Sequence, residues 1–219
     1  MKIVLLGSPG VGKGTYANRL QEHYHISQIS TGDIFRQHIN DKTKLAEELQ
    51  IYMSKGELVP DPIVIEEVKL RLHDPDAKKG FMLDGFPRTL AQAKALESIS
   101  AIDVALLYEA NTELIVDRLS GRRICSQCRA IFHIKNPALQ PKTEGICDKC
   151  GAPLFQREDD QAHVIRERIK VYYAQTGPII EYYQKLEKLV KVDASTPDVR
   201  AIVEESITDI DRIMKFKPR

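Results

Sequence analysis

Short apolar runs punctuate the chain at residues 3–6, 81–83, 104–107 and 189–193. Each is too short for a helix and rich in β-favouring residues, so each is read as a buried strand. Between and after them, apolar residues recur at helical spacing: Ala17 with Leu20; Ile65, Val68 and Leu72; Leu114, Ile115 and Leu119; Val164, Ile165, Ile169 and Tyr172; Val199, Ile202, Val203 and Ile210. Punctuation sets the predicted bounds. Ser30 or Thr31 caps a helix that runs through the polar stretch 37–55 and breaks at Gly56 and Pro60. Asp61-Pro62 reads as an N-cap followed by proline at the first helical position, and Asp74-Pro75 ends that helix. A helix is expected over 89–98, and Asn111-Thr112 caps another. Gly177-Pro178 interrupts the helix that carries Val164, with a new one over 179–186. Ser195-Thr196-Pro197 caps the last. The succession is that of one α/β core with insertions, for which 219 residues suffice.

The loop between the first strand and the first helix is Gly7-Ser8-Pro9-Gly10-Val11-Gly12-Lys13-Gly14-Thr15. Its glycines let successive N–H groups turn inward, and it opens onto a helix N-terminus, where unpaired N–H groups and the positive dipole end favour an anion. Lys13 adds a charge that reaches the β and γ phosphates, so the stretch is a P-loop. One feature is unusual: Gly14 stands where the magnesium-binding hydroxyl follows the lysine, and Thr15 comes one later. Magnesium is therefore expected to be held largely through water and the nucleotide's own oxygens.

Asp84 falls at the carboxyl end of the strand 81–83, the Walker-B position for magnesium. Asp33 lies early in its helix, where it serves either as a dipole partner or to orient magnesium-bound water. Gln92 can both donate and accept, as a solvated surface side chain also would. Arg36, Arg88, Arg122, Arg123, Arg157 and Arg168 fall in loops or near element ends. Arginine's fork of permanent donors suits phosphate oxygens, and Arg122-Arg123 after Gly121 reads as a hinge with phosphate contacts. No Ser–His–Asp or Cys–His set and no obvious general base is present. A phosphate acceptor, already largely dianionic at pH 7, would need none.

All four cysteines lie between 125 and 150 as C-x2-C, eighteen residues, C-x2-C. Two such knuckles make a tetrahedral thiolate site, which zinc prefers. An iron–sulfur cluster is the second choice. The insertion around Cys125, Cys128, Cys147 and Cys150 has few large apolar residues, so a bound metal would supply its missing folding free energy. With no open coordination position the site is structural, and His133, between the pairs, is not needed as a ligand.

The 42% apolar and 29% charged composition fits a globular enzyme, and a net charge of +1 gives no general reason to bind nucleic acid or membrane. No run approaches a spanning helix, and the apolar run before Gly7 is too short for a signal peptide, so a cytosolic location is expected.

Taken together, Gly7 to Thr15, Ser30 to Arg36, Phe81 to Thr89 with Gln92, Gly121 to Arg123, the four cysteines, Arg157 to Asp160 and Arg168 closely resemble the adenylate kinases of the long-lid class with a four-cysteine zinc site. The resemblance runs across essentially the whole chain. It implies a P-loop nucleoside triphosphate hydrolase-like core, with a parallel sheet flanked by helices, at 1–29, 60–120 and 159–219. It implies an AMP-binding insertion at 30–59 and a zinc-bound lid at 121–158. The implied reaction is reversible, magnesium-dependent transfer of the terminal phosphoryl of ATP to AMP, giving two ADP and serving adenine nucleotide balance, by a monomer. Implied ATP contacts are Gly10, Val11, Gly12, Lys13, Gly14, Thr15, Arg118, Arg122, Ile131, Phe132 and the main chain of Thr196. Implied AMP contacts are Thr31, Arg36, Glu57, Leu58, Val59, Gly85, Phe86, Pro87, Arg88, Gln92, Arg157 and Arg168. Catalysis would fall to Lys13, Arg88, Arg122, Arg157 and Arg168, with Asp84 and Asp33 orienting magnesium or its water. Related kinases for UMP or CMP typically carry a small residue at position 31 and Asn at 92, so Thr31 and Gln92 favour AMP. The chain departs from the family pattern at Tyr16, usually glutamine; at Arg129, usually glycine after the second lid cysteine; and at Thr196, often lysine. Three rival readings are a kinase for another nucleoside monophosphate, a zinc-ribbon nucleic-acid-binding protein and a nucleotide sensor without turnover.

Overall fold

The computed structural model describes residues 1–137 and 139–216. Its centre is a five-stranded parallel sheet of β1 (Lys2–Gly7), β2 (Ser27–Ser30), β3 (Phe81–Asp84), β4 (Val104–Glu109) and β8 (Leu189–Asp193), ordered β2-β3-β1-β4-β8. All four apolar runs are strands; the fifth strand, β2, is short, has Ile29 as its one apolar residue and gave no run to see. The register sets Leu5 beside both Asp84 and Leu106. Parallel pairing therefore brings Gly7, Ser30, Asp84, Glu109 and Asp193 to one edge of the sheet. Ligands of open α/β sheets collect at that carboxyl edge.

Because side chains alternate along a strand, one face carries Val4, Leu6, Leu83, Ala105 and Leu107 and the other Ile3, Leu5, Met82, Val104 and Leu106. Both faces are covered, which is why the strands read as unbroken apolar runs. The first face packs on α2 (Thr31–Asn40), α3 (Ala46–Lys55), α4 (Asp61–Leu72), α5 (Leu90–Ile99) and α7 (Ala162–Lys185). The second packs on α1 (Lys13–Tyr24) and α8 (Val199–Phe216). The helix α6 (Thr112–Ser120) leads out of the core to a small antiparallel sheet of β5 (Arg122–Cys125), β6 (Ile131–His133) and β7 (Leu154–Phe155).

Several predicted bounds are corrected. The helix expected to run through 37–55 is two helices, α2 and α3, with Lys42 at φ 51 in the turn between them. Its start is capped by Ser30, whose Oγ accepts from the Asp33 N–H. Asp61 is not a cap: Pro60 holds that position, and Asp61 and Pro62 are the first two helical residues. That helix also ends at Leu72, before Asp74-Pro75. Gly177-Pro178 does not interrupt: α7 is continuous with Pro178 inside it. Proline forfeits one helical hydrogen bond, but Ile165, Ile169, Ile179 and Tyr183 are all buried along the same helix, and this packing spans the break. Arg122 and Arg123 are the first residues of β5 rather than a loop hinge.

Candidate active site

One cleft of about 760 Å³ runs along the carboxyl edge of the sheet. Its floor is the loop from β1 to α1. Gly12 there has φ 115, and a Cβ on it would lie 2.6 Å from the Tyr16 ring. Only glycine both adopts that backbone and admits Tyr16 beneath it. The Tyr16 hydroxyl donates to the Val11 carbonyl at 3.1 Å, and Arg118 Nη1 donates to the same oxygen at 2.9 Å. Val11 itself is buried, so its side chain anchors the loop while its carbonyl is held from two sides.

Lys13 Nζ donates to the carbonyls of Gly7 at 2.7 Å and Ser8 at 2.9 Å. Burial in the cleft, reinforced by Arg88, Arg168 and Arg122 and opposed by Asp84, pushes its ammonium down to about 8. Asp84 ends β3, with its Oδ2 3.5 Å from Gln28 Nε2. A Cβ on Gly14 would come 3.8 Å from that Oδ2, so Gly14 leaves open the space between helix and carboxylate.

Arginines crowd the middle of the cleft. Arg122 makes a bidentate pair with Asp160, and Arg168 Nη1 reaches Asp159 at 2.9 Å and Asp160 at 3.4 Å. Arg88 Nε donates to Gly85 O at 2.9 Å. Burial pushes Arg88 down to about 10, with Arg168 and Arg36 adding to the fall. Burial, with Arg36 and Arg122, pushes Arg157 down to about 9. Arg157 Nε is buried without a partner, and its Nη2 sits 3.8 Å from Asp33. Asp33 is also paired with Arg36 at 2.7 Å. Among the described residues, the carboxylates that pair with or act on Lys13, Arg36, Arg88, Arg122, Arg157 and Arg168 in the middle of the cleft are Asp33, Asp84, Asp159 and Asp160. Lowered arginine values and an orphaned guanidinium N–H are the signature of a site short of negative charge, which phosphates would supply.

The other predicted residues divide clearly. Gly10, Thr15, Thr31, Glu57, Leu58, Val59, Gly85, Pro87, Gln92, Ile131, Phe132 and Thr196 all line the cleft. Phe86 does not: its ring is fully buried in the core. Thr31 Oγ1 donates to Gly85 O at 2.9 Å, joining the start of α2 to the turn after β3. Arg118 Nη2 donates to the Thr196 carbonyl at 3.2 Å, so that oxygen is already engaged. Gln92 is 1% exposed, not a surface residue. The structural role of Asp160, between Arg122 and Arg168, was not legible; the acidic run after Arg157 was its only signal. His133 lines the cleft but is structural: its Nδ1 accepts from the N–H groups of Lys135 and Asn136, and Nε2 lies 3.2 Å from Asp117 O.

In the small sheet the four cysteine sulfurs all lie within 4.8 Å of one another. Cys125 and Cys150 sulfurs are 3.4 Å apart, and Cys128 and Cys147 sulfurs 3.5 Å. A tetrahedron with metal–sulfur bonds of about 2.3 Å has edges of about 3.8 Å. The donor set therefore fits a metal ion. Among the described residues no helix is long and apolar enough to cross a membrane.

Known proteins resemble this chain in sequence. The sequence model of the family described as Adenylate kinase matches residues 5–188. The chain is 51% identical over 200 residues to the adenylate kinase of Clostridium tetani, covering 89% of this chain and 92% of that one. It is 51% identical over 195 residues to that of Caldicellulosiruptor saccharolyticus, covering 87% and 90%. Against that of Thermosipho melanesiensis it is 48% identical over 217 residues, covering 97% and 100%. On a family match of this extent and on relatives half identical over nearly all of its length, the chain belongs to the adenylate kinase family.

Proposed function

We propose that this chain carries out the family's ATP:AMP phosphotransfer through a division of the cleft into two nucleotide sites joined by the arginine cluster. Gly10, Val11, Gly12, Lys13, Gly14 and Thr15 hold the ATP phosphates, with Lys13 leaving the Gly7 and Ser8 carbonyls for the transferring group. Arg118 and Arg122 meet the ATP phosphates, and Ile131, Phe132 and the Thr196 main chain lie against ATP beyond them. Thr31, Arg36, Glu57, Leu58, Val59, Gly85, Phe86, Pro87, Arg88 and Gln92 enclose AMP, Phe86 from beneath through its backbone. Arg88, Arg122, Arg157 and Arg168 neutralise the acceptor phosphate and the group in transfer. No general base is required, because the acceptor oxygen is already charged. Alignment and charge neutralisation carry the rate. The observation that supports this most directly is the cleft that brings Lys13, Arg36, Arg88, Arg122, Arg157 and Arg168 together with Gln92.

In this reading residues 1–29, 60–120 and 159–219 form the core, 30–59 the AMP-binding arm and 121–158 the lid, with 138 and 217–219 outside the described residues. Closure of arm and lid excludes water, which would otherwise compete as acceptor. Asp84, with Asp33, would hold magnesium through water, and with ATP bound that ion would supply positive charge to the phosphate oxygens. The four lid cysteines hold zinc in a closed, structural site.

A coupled assay of purified protein with magnesium, ATP and each nucleoside monophosphate tests the reading. Strong preference for AMP over UMP, CMP and GMP is expected. Faster ADP formation with another acceptor would overturn the acceptor assignment, and absence of turnover in metal-loaded protein would overturn the whole.

A further inference from the structure

Asp61 has the sequence position of a helix cap but spends its carboxylate elsewhere. Oδ1 accepts from Gln92 Nε2 at 2.7 Å, and Oδ2 accepts from Thr89 Oγ1 at 2.8 Å. At the other end of the same amide, Gln92 Oε1 accepts from the Arg88 N–H at 2.7 Å. Gln92 is almost wholly enclosed, so these partners act without competition from bulk water.

Each partner has one polarity. An ionised carboxylate only accepts and a backbone N–H only donates. Turning the Gln92 amide over would set its oxygen against Asp61 and its NH2 against the Arg88 N–H, two repulsive contacts in place of two hydrogen bonds. The amide orientation is therefore fixed by chemistry. An amide has two donors and two acceptor lone pairs. One of each is used, and one donor beside one acceptor remains for a ligand in the cleft.

We infer that Asp61 is a specificity-positioning residue: by locking the Gln92 amide it fixes the order of donor and acceptor shown to the base of the acceptor nucleotide, and so selects a 6-aminopurine over a 6-oxopurine. This rests on the reading that Gln92 meets the base of AMP. Adenine offers an acceptor at N1 beside a donor at its 6-amino group. Hypoxanthine offers the reverse, a donor at N1 beside an acceptor at O6. A locked amide satisfies the first and leaves two unmatched polar pairs with the second, whereas a freely turning amide would satisfy either. Sites with fixed, buried hydrogen-bonding groups discriminate far better than apolar ones.

The test compares kcat/KM for AMP and IMP, with saturating ATP, in four proteins: the wild type, Asp61→Asn, Asp61→Ala and Gln92→Leu. Asparagine keeps the volume of aspartate but can present either its oxygen or its NH2 to Gln92, so it removes one of the two fixed partners without emptying the site, and the Arg88 N–H alone then holds the amide. The expected result is a fall of about tenfold in the AMP-to-IMP ratio for Asp61→Asn, carried mainly by KM for the monophosphate, with KM for ATP changed by less than about twofold. Asp61→Ala should show the same fall with a lower melting temperature; should it not fold, Asp61→Asn decides alone. A purely structural Asp61 would lower activity with AMP and IMP in parallel. A wild-type ratio in the Asp61 variants, together with a collapsed ratio in Gln92→Leu, would overturn the inference alone. A wild-type ratio in Gln92→Leu would overturn the placement of the base against Gln92, and this inference with it.

Discussion

Arg122 and Asp160 meet in a two-bond ion pair, Nε to Oδ2 at 2.8 Å and Nη2 to Oδ1 at 2.6 Å, at the root of the small sheet. The Asp160 side chain is fully buried, and Arg168 Nη1 approaches the same Oδ1 at 3.4 Å. One carboxylate thus aims two arginines that lie 46 residues apart in sequence (168 − 122). Burying such a pair adds little net stability, but removing one partner is expensive because the others stay buried and charged. Asp160→Asn is expected to lose about 3 kcal/mol of stability in urea unfolding. Turnover should fall by more than the fraction unfolded, because Arg122 and Arg168 lose their aim. An unchanged unfolding midpoint would show that the pair is replaceable by water.

Lys13 gives a prediction in pH. An amine whose pKa is pushed down to about 8 is charged below that pH and neutral above it. The kcat/KM for ATP reports groups of the free enzyme, so it should decline above about pH 8. The kcat profile should decline at higher pH, because bound phosphates favour the ammonium. For folding the sign is opposite. The unfolded chain holds this proton more tightly, so the charged lysine costs stability below about pH 8, and that cost fades as pH rises toward the ordinary lysine value near 10.4. A flat kcat/KM profile to pH 10 would contradict the assignment. Lys13→Met should abolish turnover while leaving the protein folded.

Much of this was legible in the sequence because the signals were local. The P-loop glycines, the apolar strands and the paired cysteines each declare themselves within a few residues. What stayed hidden was the direction of side chains. Asp61-Pro62 reads the same whether the carboxylate caps its helix or turns to Gln92. Gln92 looked as solvated as any glutamine, because only the folded chain closes α4 and Thr89 around it. The break between α2 and α3 gave no glycine or proline to find; the chain turns at Lys42 instead. Pro178 gave a clear break signal, and the packing of Ile179 and Tyr183 overrode it.

Tyr16, where the family usually has glutamine, has an evident use. Its ring lies 4.8 Å from that of Tyr108, centroid to centroid, and its hydroxyl shares the Val11 carbonyl with Arg118. Tyr16→Phe keeps the ring packing and removes one of the two donors. The expected loss is about 1 kcal/mol, read as a several-fold rise in KM for ATP with KM for AMP unchanged. Equal rises in both constants would indicate a general loosening of the core rather than a role for the hydroxyl in the loop.

Arg129 is the one residue in the first cysteine knuckle whose backbone works against its side chain. It follows Cys128 at φ 60, the left-handed region, and its side chain is exposed. A residue with a Cβ gives up about 1 kcal/mol there relative to glycine. Arg129→Gly should therefore tighten the metal site, whereas Cys125→Ser should loosen it by removing a ligand. The direct measurement is the rate at which a chelator withdraws zinc loaded onto the four cysteines, with the melting temperature followed alongside. For a chain of this size about 1 kcal/mol corresponds to about 2–4 °C. Slower release and a higher melting temperature in Arg129→Gly, with the reverse in Cys125→Ser, would tie the stability of the small sheet to the geometry of its knuckles. Faster release from Arg129→Gly would mean that the arginine side chain contributes more to the knuckle than its backbone strain takes away.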